Sequence, residues 1–111
     1  MEPCPLVVFR RAVRCLRAGC PVEGVRVRRR RTNLLGHATR HGRRRMLVVV
    51  NPDLPRTSAI DTLIHEWAHV LAWRRHGPDI PDHGEEWGRA YADAYCAFHV
   101  EWERRGYHKA G

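Results

Sequence analysis

The sequence has a single lysine, Lys109, no two cysteines at Cys-x2-Cys spacing, and no apolar run longer than Met46–Val50. Each shortage excludes something. A run that short falls far below the ~20 residues of a membrane-spanning helix. The opening residues Met1-Glu2-Pro3-Cys4-Pro5 lack the charged segment and apolar stretch of a secretory leader, so a cytoplasmic protein with no membrane partner is expected. Without Cys-x2-Cys there is no zinc-ribbon spacing. Cys4, Cys15, Cys20 and Cys96 therefore read as free thiols in a reducing compartment. A chain of 111 residues supports one core, hence a single domain over 1–111.

Positive charge, by contrast, is plentiful: 20 Lys and Arg against 12 Asp and Glu, a net +8. Such a surface attracts polyanions, nucleic acid first among them. The excess of arginine over lysine is weaker evidence, because codon bias in a GC-rich genome produces it too. Arg26 with Arg28 to Arg31, and Arg43 to Arg45, flank expected strands. There they serve either sequence-neutral phosphate contact or a charged edge that blocks strand-to-strand aggregation. Arg74 and Arg75 suit the end of a helix electrostatically.

Periodicity predicts an α+β domain. Leu6, Phe9, Val13 and Leu16 mark a first amphipathic helix over Pro5 to Ala18, ended by Gly19. Val25 to Arg31, Leu34 to Thr39 and Arg43 to Asn51 suggest a small three-stranded antiparallel sheet joined by tight turns. A helix follows from Thr57 or Ser58 to about His76, stopped by Gly77-Pro78. The last helix starts at Asp82, with Glu85 in capping-box position, and carries Trp87, Tyr91, Ala94, Tyr95, Phe98 and Trp102 as its stripe.

The segment with chemistry in it is His65-Glu66-Trp67-Ala68-His69. Histidines four apart on a helix lie about 40° apart around the axis and one turn along it, so both imidazoles reach one ion. Glu66 projects beside them, where it can take a proton from an attacking water. Ile60, Leu63, Ile64, Trp67 and Leu71 form an apolar face expected opposite the two histidines. A hydrolytic zinc site wants a third protein ligand and an open position. His76 lies seven residues past His69, ~10 Å along the axis, too far to share the ion. His83, expected in the first turn of the last helix, is better placed; Glu86, then Glu85, are the alternatives. His99 reads as a packed or surface residue. Trp73 faces the cleft side and is a candidate for substrate contact, and Tyr91 or Tyr95 for donation to an oxyanion.

Taken together, His65-Glu66-Trp67-Ala68-His69 followed by His83-Gly84-Glu85-Glu86-Trp87 resembles the SprT-like metallopeptidases, whose signature is HExxH and then HGxx with an aromatic residue. The strand Met46 to Val50, the Asn51-Pro52 break and Asp61-Thr62-Leu63-Ile64 leading into the motif are also similar. The likeness extends from about Val25 to Tyr95. It implies zinc held by His65, His69 and His83, Glu66 as general acid/base, and a protease whose protein substrates are associated with DNA. Many members carry a C-terminal zinc ribbon; none is expected here. The competing expectation is a basic nucleic-acid-binding module in which the histidines hold a structural metal.

Overall fold

The chain runs helix, small sheet, two helices: α1 Pro5–Gly19, β1 Val25–Arg29, β2 Gly36–Arg40, β3 Met46–Val50, α2 Arg56–His76 and α3 Glu85–Arg104. This is the α+β order expected from the sequence. The computed structural model describes residues 4–42 and 44–107. Arg43 of the second arginine run, Lys109 and the opening Met1-Glu2-Pro3 lie outside the described residues. Among the described residues no helix is long and apolar enough to cross a membrane.

The sheet corrects one expectation, for it is mixed rather than antiparallel. Its order is β1-β3-β2, with β3 antiparallel to β2 (Gly36 opposite Val50) and parallel to β1 (Val25 beside Met46). The apolar run explains this. Met46, Val48, Val49 and Val50 are all buried, which suits a central strand; the arginine-bearing β1 and the polar β2 take the edges. The chain reverses between β1 and β2 and again between β2 and β3, so β3 returns parallel to β1. Gly24 permits the close approach of the β2–β3 turn: its φ is +81°, and a Cβ there would stand 1.7 Å from the Arg44 carbonyl oxygen. Only glycine fits such a position.

The predicted helix α1 has Pro5 in its first turn and ends with the Cys20 N–H on the Leu16 carbonyl at 2.8 Å. Its buried stripe is Val8, Phe9, Ala12, Cys15 and Leu16, rotated from the predicted one so that Leu6 is exposed. All four cysteines are free, Cys15 and Cys20 being buried.

Where the sequence predicts a one-sided α2, the structure buries this helix almost all round. It packs on β2 and β3 and on α1 and α3. Leu63, Ile64, Trp67, Ala68, Val70, Leu71 and Ala72 all enter the core, as expected of a central helix with apolar residues on every side. It starts behind Pro55, not at a Thr57 or Ser58 cap, and stops at Gly77 with φ +83°. The α3 stripe also differs from expectation. Ala90, Ala94, Phe98 and Glu101 are the buried residues, because alanines let α3 approach its neighbours where wide rings would hold it off. Trp87, Tyr91 and Trp102 are half-buried beside that line, and Tyr95 is exposed.

Candidate metal centre

His65 and His69 sit one turn apart on α2, and the chain leaving α2 at Gly77 turns back to bring His83 beside them. One ring nitrogen from each of the three lies within 4.8 Å of the others, close enough to bind a metal ion. Nε2 of His65 and Nε2 of His83 are 3.1 Å apart. The Trp87 ring stands 4.9 Å from the rings of both and donates its Nε1–H to the His65 carbonyl at 3.4 Å. It is a floor under the triad, a role its place in an apolar stripe did not suggest.

His83 lies just before α3, not in its first turn, since the helix begins at Glu85 with Gly84 as cap. Asp82, read from the sequence as that cap, is engaged elsewhere. Its carboxylate oxygens are 3.8 Å from His69 Nδ1 and 3.5 Å from His83 Nδ1. Both rings therefore turn Nδ1 towards a carboxylate, which leaves Nε2 for a metal. Sequence reasoning missed this because Asp82-x-x-Glu85 also satisfies capping-box spacing; only the adjacency of an acid to a candidate ligand hinted at it. Asp82→Ala is expected to weaken metal affinity about 10–100-fold. Competition against a chromophoric chelator measures this, and an unchanged affinity would remove the assigned role.

Burial lowers the His69 pKa to about 4, against the pull of Asp82 and with help from His65 and His83. His65 is lowered too, by burial first and His83 second. Neutral rings are the form that coordinates. Glu66, 8% exposed, is pushed up to about 7, chiefly by burial and further by the Asp82 charge. Glu101 makes the contrast. It is also buried, but hydrogen bonds from Arg104, then Arg105, hold its carboxyl well below the usual range. In so basic a chain Glu66 makes no ion pair among the described residues. The triad next to it is where a compensating cation can sit.

Glu66 and His65 open into a cleft of about 750 Å³ whose other walls include Leu34, Leu35, Tyr91 and Tyr95. Gly36 brings β2 hard against α2 here: a Cβ on it would come 2.6 Å from the Val49 carbonyl oxygen and 2.7 Å from Thr62 Cγ2. The remaining candidates fall away from the triad. His76 is exposed at the end of α2, and His99 is exposed against the Tyr95 ring at 4.4 Å. Glu85 pairs with Arg89, and Glu86 is not one of the grouped ligands. Trp73 is half-buried against the core with its ring 5.8 Å from His69.

The arginine runs divide by face. Arg26, Arg28 and Arg30, with Arg44, Arg45 and His41, surround a cavity of about 800 Å³. None of these five arginines forms an ion pair among the described residues. Arg29 points the other way, over Phe9 at 5.0 Å, and Arg31 pairs with Asp53 at 3.6 Å. Arg74 donates to the Glu23 carbonyl and Arg75 pairs with Asp93 at 2.7 Å, so both are tied down structurally. Compared with family models, with curated proteins and with solved structures, the chain matches none.

Proposed function

We propose that the protein is a zinc-dependent metalloendopeptidase of the SprT-like type, with zinc on His65, His69 and His83 and Glu66 as general acid/base. The observation that carries this reading is the three-histidine cluster with an unpaired buried carboxylate beside it, Glu66 and His65 opening into one cleft. The donors are of the right kind, and the His65–His83 pair has the spacing the ion needs. Tetrahedral zinc with bonds of 2.0–2.1 Å sets two ligand nitrogens roughly 3.3 Å apart, near the 3.1 Å between His65 and His83. Three ligands and an open side are the pattern of hydrolytic rather than structural zinc, which takes four. Among the described residues no fourth side chain joins the group.

When bound, zinc supplies Lewis acidity, polarising the scissile carbonyl and easing the ionisation of water. Glu66 accepts the proton from the attacking water and returns it to the departing amine as the C–N bond breaks. Asp82 sets a negative charge on the Nδ1 side of His69 and His83, which favours a proton there and leaves Nε2 for the ion. Free thiols at all four cysteines suit a reducing, cytoplasmic setting.

The unpaired arginine cavity favours protein substrates that are bound to DNA, held through phosphate contacts on the β1 side of the sheet. The test has two readouts: zinc per chain, and fragments of a DNA-binding protein with and without single-stranded DNA. Zinc is expected in the parent and lost in His83→Ala, and fragments only from the zinc-loaded parent. A full zinc complement with no cleavage of any protein would overturn the peptidase reading. It would leave a basic nucleic-acid-binding module in its place.

A further inference from the structure

Exposed apolar side chains gather in the cleft that holds Glu66. Among the described residues the large exposed hydrophobics are Leu6, Val7, Leu34, Leu35, Tyr95 and Val100, and Leu34, Leu35 and Tyr95 line this one cleft. Leu34 and Leu35 are each 61% exposed, yet the loop that presents them is pinned. The Asn51 N–H donates to the Leu35 carbonyl at 2.9 Å, the Asn51 side chain to the Thr32 carbonyl at 3.2 Å, and the Leu34 N–H to Thr32 Oγ1 at 3.3 Å.

The opposite wall is a ladder on α3. Trp87, Tyr91 and Tyr95 recur every fourth residue, with ring centroids 5.2 and 6.0 Å apart in stacked pairs. The space of about 750 Å³ is that of a ligand site, large enough for side chains. Holding two leucines and a tyrosine in water gains the fold nothing, and an apolar patch beside a reactive carboxylate marks where an apolar group binds.

Resting on the peptidase reading above, we propose that this cleft selects a large apolar side chain, leucine or an aromatic, next to the scissile bond. The side chain lies between Leu34 and Leu35 on one wall and Tyr91 and Tyr95 on the other. Asp61 lines the same cleft, so a lysine peptide is the informative competitor.

Two measurements separate this proposal from the reading beneath it. The first follows cleavage, by mass spectrometry, of a peptide mixture varied at one position, using the zinc-loaded protein. Leucine and phenylalanine are expected to react at least about tenfold faster than serine or lysine. A Leu34→Ser, Leu35→Ser variant, with its zinc content unchanged, should reduce that ratio to within about threefold. The second needs no turnover. Peptidyl hydroxamates ending in leucine or serine are titrated onto the zinc-loaded protein and followed by tryptophan fluorescence. About tenfold tighter binding of the leucine compound is expected, again lost in the double variant. Equal affinities, or equal cleavage rates, would overturn the selection while leaving the peptidase reading intact. A leucine preference in binding without cleavage of any peptide would uphold the selection and overturn the peptidase.

Discussion

Replacing Glu66 with glutamine is expected to cut peptide hydrolysis about 10²–10⁴-fold, the range that a positioned acid/base group contributes, while the metal stays bound. Glutamine keeps the size and one carbonyl oxygen of the side chain but cannot take a proton from water. Zinc analysis and single-turnover cleavage of an unstructured protein check the two halves separately. Full activity in this variant would sink the mechanism; loss of metal would mean that Glu66 is needed for the site itself.

The same substitution leaves a signature in metal-free protein. Glu66 is raised from 4.5 to about 7 by folding. Between those values the folded state holds a proton that the unfolded chain has released. The associated stability is fully present below pH 4.5 and is lost as pH rises through 7. Glutamine does not titrate, so Glu66→Gln should gain stability relative to the parent across that window. His69 runs the other way. Its value falls from 6.5 to about 4, so its contribution is present above 6.5 and lost as pH drops towards 4, in both proteins alike. Denaturant midpoints in chelator at several pH values would show the difference growing with pH; a flat difference would contradict the assignment of Glu66 as a buried, uncompensated acid.

The second large effect concerns the support under the motif. Trp67 is fully buried and donates its indole N–H to the Cys20 carbonyl at 2.8 Å. It thereby ties the centre of α2 to the end of α1. Trp67→Ala is expected to cost about 3–5 kcal/mol, a large share of the 5–15 kcal/mol typical of a domain. Trp67→Phe keeps an aromatic ring but orphans the Cys20 carbonyl, so about 1–3 kcal/mol is expected from that loss. Urea denaturation orders the two variants. A cost below about 1 kcal/mol for Trp67→Ala would mean that α2 is not anchored through this ring.

Much was legible before folding, because local physics governs it. Helical periodicity with Gly19, Gly77 and Pro78 as stops marked α1 and α2 to within about two residues, the usual uncertainty of helix ends. The spacing of His65 and His69 determines by itself that both lie on one side of a helix. Strand pairing was not legible in the same way. Two turns can join three strands in several orders, and the choice of β3 as the central strand rests on burial against helices that come later in the chain. The one-sided reading of α2 failed for the same reason, since a helix with apolar residues all round reveals its surroundings only once α1, α3 and the sheet enclose it.

The sequence by itself determined the pair of histidines with a carboxylate between them, and it named His83 as the candidate to complete them. Only the tertiary structure decided that His83 does meet the pair, because the turn between Gly77 and Glu85 must fold back across α2 before any spacing rule applies. It also decided what Asp82 does. A helix cap and a carboxylate set beside two histidines have the same sequence, and they differ only in which groups the folded chain brings near it.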